Sequence, residues 1–258
     1  MKIDNMGEKS EKVGWFSTGR DKAARDLLQT VCTSIEQGEI KAEIIFVFSN
    51  REPGEKEESD LFFDLVQGYQ IPLICVSSNK FKEKLGEKWR PRFEKEAMKR
   101  LEGFSPDLCV LAGYMLIVGR EMCQRYPMIN LHPAAPGGPK GTWQEVIWQL
   151  IAEGASETGV MMHLVTPELD EGPPATYCTF PIRGQPFDKY WNGIKGRSTE
   201  EIEANEGENN PLFRLIREYG VARELPLIVA TLKAFAEGRV RIEGGRIVEG
   251  GGKAIKGI

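Results

Sequence analysis

Two polar side chains with complementary chemistry lie two positions apart in the segment 128–133. Asn130 carries an amide and His132 an imidazole, and Pro133 follows directly. Alternate side chains of an extended chain point to one face, so the two groups would share a surface. An amide can polarise a carbonyl oxygen while an imidazole manages a proton, which suits acyl transfer. A histidine at a strand end is also commonly a packed or capping residue, and the spacing alone leaves both interpretations open.

A carboxylate in a second polar segment could assist that imidazole. Asp170 lies in the stretch 163–173, HLVTPELDEGP, in a loop bounded by proline and glycine. An acid in such a loop is commonly a turn former. Placed close to His132, the same acid would raise the pKa of the imidazole and fix its tautomer. Whether the two loops meet is a tertiary question that the order of residues leaves open.

Short apolar runs alternate with amphipathic stretches through the first half of the chain. Strands are predicted at 13–16, 42–48, 72–76, 107–112 and 128–131, with helices at about 21–35, 60–69 and 89–101. This alternation predicts an α/β, Rossmann-like fold, with a mostly parallel sheet and helices on both faces. Ligands of such sheets bind beyond the carboxyl ends of the strands. We therefore expect 17–20, 113–118 and 130–132 to share one functional edge.

The second half of the chain predicts antiparallel strands and a C-terminal hairpin. A helix is expected at 142–152, strands at 159–165 and 175–182, helices at 212–219 and 225–237 separated near Gly220, and hairpin strands at 240–242 and 246–248. Residues 183–210 are polar and contain charges and glycines, which predicts a long surface excursion or a partly mobile segment. We interpret 1–258 as a single domain, with a parallel α/β half at 12–133 and a second half at 134–258.

Composition restricts the class of protein. The 258 residues carry a formal net charge of −4, whereas nucleic-acid-binding surfaces are usually basic. No apolar run approaches the ~20 residues that cross a bilayer, and the polar N-terminus lacks the apolar core of a signal peptide. The five cysteines include no C-x-x-C pair, which favours free thiols, and the two histidines make a metal site unexpected. We therefore expect a cytoplasmic protein that binds neither nucleic acid nor membrane nor metal.

Four segments in fixed order carry a resemblance to the folate-dependent formyltransferases: VFSN at 47–50, PDLCVLAGYM at 106–115, INLHP at 129–133 and ETGVMMHLVTPELDEGP at 157–173. The resemblance implies transfer of a formyl group from 10-formyltetrahydrofolate, as co-substrate, to a primary amine. Asn130, His132 and Asp170 match the catalytic residues of the family. By that match Asn130 would bind the formyl oxygen, and a cationic His132, supported by Asp170, would stabilise the tetrahedral intermediate. His163 matches a family histidine, for which we expect a structural role.

The same resemblance implies where the two substrates bind. The pterin ring is expected between two segments, with the contact residues Met115, Leu116, Ile117, Val118, Val165, Thr166, Pro167 and Glu168. Leu116 stands where the family often has an arginine for the folate tail. The amine substrate, expected to be phosphorylated, is assigned to Thr18, Gly19, Arg20, Lys22, Gly113 and Glu218. The oligomeric state stays open, with a homodimer among the options.

The implied acceptor is glycinamide ribonucleotide of purine synthesis, but the phosphate-binding turn expected for it is altered. That turn reads G-x-G-S-N after the first strand, whereas this chain has FSTGRDK at 16–22. Arg20 and Lys22 could replace part of what backbone amides supply, while Asp21 would repel a phosphate unless it points away as a helix cap. Another amine, such as an amino-sugar nucleotide, is the alternative acceptor. A non-catalytic folate-binding relative is a further alternative.

Overall fold

The computed structural model describes residues 10–253 and residue 257. Its main sheet is formed by β1 (Glu11–Phe16), β2 (Ala42–Ser49), β3 (Leu73–Cys75), β4 (Leu108–Leu111), β5 (Met128–His132), β6 (Glu157–Leu164) and β7 (Pro174–Pro181). The strand order is β3-β2-β1-β4-β5-β6-β7. Strands β1 to β5 pair in parallel, and β6 and β7 are antiparallel additions at one side. The predicted Rossmann-like sheet is therefore confirmed. The predicted hairpin is also present, as β8 (Val240–Glu243) and β9 (Arg246–Glu249).

Helices cover both faces of the main sheet. They are α1 (Lys22–Glu36), α2 (Glu57–Gly68), α3 (Ser78–Leu85), α4 (Trp89–Arg100), α5 (Arg120–Arg125), α6 (Trp143–Ala152), α7 (Asp188–Gly193), α8 (Thr199–Glu206) and α9 (Pro211–Ala236). Neighbouring strand residues serve opposite faces, because Trp15 packs in a cluster with Leu28 whereas Phe16 packs in another with Phe93. Both β1 side chains are fully buried, as expected for a parallel strand covered on both sides. Among the described residues, every helix is too short or too polar to cross a membrane.

Residues 183–210, predicted as a surface excursion or a mobile segment, contain the helices α7 and α8 instead. Trp191 of α7 is 8% exposed, and its indole nitrogen donates to the carbonyl of Ile182 at 2.6 Å. Ile202 of α8 is buried as well, and both side chains belong to an apolar cluster that includes Phe213 of α9. The two helices were not predicted because a few widely spaced anchors among polar residues leave no periodic apolar signal.

Helix α9 runs through Gly220, where the sequence predicted a break. A glycine inside a helix costs about 1 kcal/mol relative to alanine, which tertiary packing readily outweighs. Phe213 before the glycine and Leu232 after it are both buried, so contacts on either side hold one continuous helix. Helices α3 and α5 were not predicted because each is short and buries a single residue, Ser78 and Met122 respectively.

Candidate active site

A cavity of about 300 Å³ opens at the edge of the sheet where β4 and β5 end. Its wall includes the segment that follows β4, the end of β5 and the loop that follows β6, while α1, α6 and α9 contribute side chains on the remaining side. Parallel strands bring their carboxyl ends to one edge, which is the general ligand position in such folds. The segments 113–118 and 130–132, predicted to share an edge, do so around this cavity.

Asn130, His132 and Asp170 meet in the wall of this cavity. Asn130 and His132 lie two positions apart on β5, and Asp170 comes from the loop that follows β6. The Oδ2 atom of Asp170 lies 3.5 Å from Nδ1 of His132. The Nδ2 atom of Asn130 donates to Oδ1 of Asp170 at 3.4 Å. The structure thus brings together the amide, the imidazole and the carboxylate that the sequence singled out, and their catalytic roles stay a prediction.

The loop that follows β5 holds the imidazole of His132 and the carboxylate of Asp170. Nε2 of His132 lies 2.8 Å from the carbonyl oxygen of Pro139, and the histidine is 2% exposed. Because a carbonyl oxygen can only accept, Nε2 carries the proton and Nδ1 faces Asp170. The amide of Gly141 donates to Oδ2 of Asp170 at 3.2 Å. The segment 133–141 therefore sets the tautomer of His132 as well as the position of Asp170.

His163 is a second imidazole in the site and pairs with Asn130 in the β5–β6 register. Its Nδ1 donates to the carbonyl of Leu164 at 3.0 Å, so the neutral ring leaves Nε2 as an acceptor. Nδ2 of Asn130 lies 3.1 Å from that Nε2. Oδ1 of Asp170 lies 3.4 Å from it. His163 therefore orients the amide of Asn130, which fits the structural role expected for it.

Backbone geometry places Asp170 beside His132. Asp170 has a φ of 53°, in the left-handed region that aspartate tolerates better than most residues. Gly172 approaches β6 so closely that a Cβ atom there would lie 1.7 Å from the carbonyl oxygen of Leu164. The amide of Leu164 in turn donates to the carbonyl of Pro173 at 2.9 Å. The glycine therefore allows the loop to fold back onto the end of β6 and present Asp170 to the cavity.

Burial and hydrogen bonds set the charges of the site. Burial alone would raise the pKa of Asp170, but donation from His163, the charge of His132 and the Gly141 amide bring this pKa below its ordinary value. An imidazole lowers the pKa of a neighbouring carboxyl group when the ring is protonated. The pKa of His132 is lowered because burial outweighs the attraction of Asp170 and the hydrogen bond to Pro139. These directions favour an ionised Asp170 beside a neutral His132 in the resting site at neutral pH, and the cationic His132 that the resemblance implies for the intermediate stays a prediction.

The wall expected to hold the pterin ring is largely apolar. Its lining residues are Met115, Leu116, Ile117, Val118, Val165, Thr166 and Glu168. Pro167, predicted with them, lies outside the lining. The amide of Met115 donates to the hydroxyl of Thr18 at 2.9 Å, and Arg90 donates to the carbonyl of Ile117 at 3.0 Å. A largely apolar wall whose backbone is fixed by these hydrogen bonds can pack against the face of a flat heteroaromatic ring.

The residues assigned to the amine substrate divide into two groups. Arg20 and Gly113 line the cavity, whereas Thr18, Gly19, Lys22 and Glu218 do not. Thr18 is 2% exposed, and its hydroxyl donates to Oδ1 of Asn50 at 2.7 Å, so it joins neighbouring loops. Lys22 pairs with Asp26 one turn along α1, and Glu218 is exposed on α9. These four residues therefore lie outside the cavity lining, and their contacts with the substrate stay a prediction.

The turn between β1 and α1 presents a carboxylate where an anion-binding turn would present free amides. The amide of Gly19 donates to the hydroxyl of Ser17 at 3.2 Å and is already satisfied. Asp21 is the N-cap of α1, and its carboxylate accepts from the amide of Ala24 at 3.0 Å. Helix N-termini attract anions because their first amides lack partners. Here the protein's own Asp21 occupies that position.

Trp143, Arg217 and Glu224 line the cavity but were not predicted as site residues. Nη1 of Arg217 lies 2.6 Å from Oε1 of Glu224, and the guanidinium lies 4.6 Å from the centre of the Trp143 ring. Arg217 and Glu224 are about two helical turns apart, so the spacing could have placed them on one face of α9. The spacing could not have indicated that this face of α9 lines the cavity.

Comparisons with known proteins identify the family and the fold to which this chain is similar. A family model described as formyl transferase matches residues 22–185. A phosphoribosylglycinamide formyltransferase of Haemophilus influenzae is 29% identical over 220 residues, which are 84% of this chain and 84% of that protein. A formyltetrahydrofolate deformylase of Bacillus subtilis is 30% identical over 144 residues, 54% of this chain and 41% of that protein. In fold, the chain is similar to the solved phosphoribosylglycinamide formyltransferase of Coxiella burnetii, with a TM-score of 0.69, 23% identity and 96% of each chain covered.

We expect Gly172→Ala to displace Asp170 from His132, because a methyl group has no room beside the Leu164 carbonyl. Overpacking of this kind costs about 1–3 kcal/mol, and we expect a lower melting temperature in calorimetry. The imidazole NMR signals of His132 should move as well. Gly193→Ala is the matched control, since a Cβ atom at Gly193 meets no other atom within 4 Å. Equal melting temperatures and unchanged imidazole signals in the two variants would contradict this account.

We expect the free energy of unfolding to fall as the solution is acidified. The folded-state pKa of His132 is below its unfolded value of about 6.5, so the unfolded chain takes up a proton first and stability is lost below that pH. Asp170, whose folded pKa is also lowered, stabilises the fold while ionised, and this contribution is lost as pH falls through its folded pKa.

Urea denaturation of the wild type and of His132→Asn, at a series of pH values, measures this dependence. The variant has no imidazole at 132, so its stability should change less between about pH 7 and pH 5. An equally steep loss in both proteins over that range would show that His132 does not cause it.

Proposed function

This chain belongs to the formyl transferase family and is a folate-dependent formyltransferase, and we propose that its acceptor is the primary amine of glycinamide ribonucleotide, a step of purine synthesis. The family match over 22–185 carries the type of reaction, with 10-formyltetrahydrofolate as the formyl donor. The observation that carries the mechanism is the meeting of Asn130, His132 and Asp170 in one cavity wall. Support for the acceptor comes from relatives named as phosphoribosylglycinamide formyltransferases.

The reaction asks the protein to stabilise one oxyanion and to carry one proton. The amine nitrogen attacks the formyl carbon, and the carbonyl π electrons move onto the formyl oxygen. The tetrahedral intermediate then collapses, and the bond between the carbon and the tetrahydrofolate nitrogen breaks. A proton leaves the attacking nitrogen, and a proton reaches the departing nitrogen. Positioned hydrogen-bond donors and a nearby base are the groups that lower such barriers.

Asn130 is the group we assign to the formyl oxygen. Its Nδ2 carries two hydrogens and lies 3.1 Å from Nε2 of His163, which can engage one of them. The other donates to Oδ1 of Asp170 at 3.4 Å in the resting site, and we assign this hydrogen to the oxyanion, which replaces that longer bond. A donor oriented in advance needs no rearrangement as charge develops, and one such donor is typically worth about 3–4 kcal/mol.

His132 and Asp170 are the groups we assign to the proton. In the resting site His132 is neutral and its Nδ1 faces the ionised carboxylate of Asp170 at 3.5 Å. Nδ1 can therefore accept the proton that the attacking nitrogen sheds, and Asp170 stabilises the imidazolium that forms. Return of this proton to the tetrahydrofolate nitrogen completes the cycle. A proton acceptor with a pKa near or below neutrality is suited to both transfers.

A different amine acceptor is a second candidate, favoured by Asp21. A phosphate bound at the start of α1 would meet this carboxylate, which already caps the helix through Ala24. Like charges at close range repel, so the site at the start of α1 is unfavourable for a phosphate group. An acceptor without a phosphate at that position, such as another amino sugar derivative, would avoid the conflict.

We expect the purified protein to convert glycinamide ribonucleotide and 10-formyltetrahydrofolate into the formylated ribonucleotide and tetrahydrofolate, as measured by mass spectrometry. Asn130→Ala should lower the turnover number about 100-fold or more, because the oxyanion loses a donor worth about 3–4 kcal/mol. Asn205→Ala, an exposed asparagine of α8, is the matched control and should retain wild-type turnover.

The possible results test the acceptor assignment and the role of Asn130 separately. If no formylated ribonucleotide forms at high enzyme loading, the acceptor assignment is removed, and amino-sugar nucleotides are tested next. If Asn130→Ala turns over as fast as Asn205→Ala, the role of Asn130 is wrong whichever acceptor is used.

A further inference from the structure

One end of the cavity is formed by side chains that take no part in the chemistry described above. Trp143 from the first turn of α6 and Arg217 and Glu224 from α9 line it, together with Arg20 from the turn after β1. Two of these four residues are arginines. Arginine presents a planar fork of N–H donors that matches the oxygen atoms of phosphate groups.

Arg217 is held rigidly but retains free donors. Its Nη1 bonds to Oε1 of Glu224 at 2.6 Å, and its guanidinium lies 4.6 Å from the centre of the Trp143 ring. Glu224 is 5% exposed, so this ion pair neutralises a buried carboxylate in the cavity wall. Among the described residues, Glu224 is the hydrogen-bond partner recorded for the guanidinium, which has five N–H donors in all. The remaining donors are available to a ligand in the cavity.

Arg20 contacts the same first turn of α6 that Arg217 contacts. Its Nη2 donates to Oε1 of Gln144 at 3.2 Å, and its Nε lies 3.5 Å from Asp21. Gln144 directly follows Trp143, over which Arg217 stacks. The first turn of α6 therefore links the two guanidinium groups at one end of the cavity.

The carboxylates at this end are already engaged. Glu145 accepts from the amide of Thr142 at 2.7 Å, in the capping box of α6. Asp21 caps α1, and Glu224 is paired with Arg217. Each carboxylate is thus offset by donors of the protein, while both arginines keep donors for a further acceptor. This arrangement favours an anionic group of a ligand here rather than at the start of α1.

We propose that Arg217, together with Arg20, binds the phosphate group of a phosphorylated amine acceptor beside the first turn of α6. This assignment makes Arg217 a specificity-determining residue and Glu224 a positioning residue that holds the guanidinium against Trp143. It rests on the proposed function for the reacting amine, and it replaces the start of α1 as the phosphate position. Asp21 also lies at this end, where its carboxylate is 3.5 Å from Nε of Arg20 and is offset by that guanidinium.

The first experiment compares Arg217→Gln with Arg223→Gln. Arg223 is on the same helix, donates to the carbonyl of Tyr219 at 2.8 Å and lies over the ring of Phe180, outside the cavity lining. We expect Arg217→Gln to raise the KM for glycinamide ribonucleotide by tenfold or more, with a smaller change in kcat and in the KM for 10-formyltetrahydrofolate. Arg217→Lys, which keeps the charge but not the fork, should recover part of the loss. A KM for the ribonucleotide equal to that of Arg223→Gln would overturn the proposal.

The second experiment measures binding without catalysis, so it does not depend on the proposed acceptor. Calorimetric titration with ribose 5-phosphate is applied to the wild type, to Arg223→Gln and to the double variant Arg217→Gln, Glu224→Gln. The double variant removes both charges and so avoids an unpaired buried carboxylate. We expect binding to the first two proteins and at least tenfold weaker binding to the double variant, even if glycinamide ribonucleotide proves not to be formylated.

Three outcomes would overturn the phosphate position. The first is equal binding by the double variant and the wild type, and the second is no binding by the wild type. The third is binding that strengthens tenfold in Asp21→Asn while the double variant is unaffected, since this would locate the phosphate at the start of α1. If formyl transfer fails but binding follows the expected pattern, the acceptor assignment is wrong and the proposed phosphate site still stands.

Discussion

The buried carboxylate of Asp170 is the interaction on which the rest of the site depends. It accepts from the amide of Gly141, lies beside His132 and contacts the amide of Asn130. A carboxylate taken out of water is costly unless donors surround it, so the loops after β5 and β6 have to close on each other. The left-handed backbone of Asp170 and the close approach of Gly172 to β6 are local consequences of this closure.

The same burial decides how the site is charged before a substrate enters. An exposed imidazole beside a carboxylate would gain affinity for a proton, but His132 is buried enough that its pKa falls instead. The resting pair is thus a carboxylate next to a neutral base. Arrival of a proton on His132 creates an ion pair inside a site of low dielectric constant, where its attraction to Asp170 is strong. In the proposed mechanism, stabilisation by Asp170 is therefore greatest once His132 has accepted the proton.

The residues that line the two parts of the cavity come from different kinds of sequence segment. The residues assigned to the pterin lie within or directly after the segments that resemble folate-dependent formyltransferases. Their wall is largely apolar, and hydrogen bonds from its backbone to Thr18 and Arg90 hold it in place. The opposite end is built from Arg20, Trp143 and Arg217, which lie outside all four segments. The type of reaction can therefore be inferred from short segments of sequence, whereas the proposed phosphate position depends on helices α6 and α9.

The sequence by itself determined the strands of the parallel sheet, the hairpin, and the shared face of Asn130 and His132, because each depends on a local period in the chain. It also indicated Asp170 as a candidate, through resemblance rather than through spacing. Only the tertiary structure decided that Asp170 reaches His132 and that Arg217 and Glu224 close the cavity. It also left Thr18, Lys22 and Glu218 outside the cavity lining, carried α9 through Gly220 and folded 183–210 into helices. These features arise from contacts between residues far apart in the chain, and a long-range contact leaves no period in the sequence from which it could be predicted.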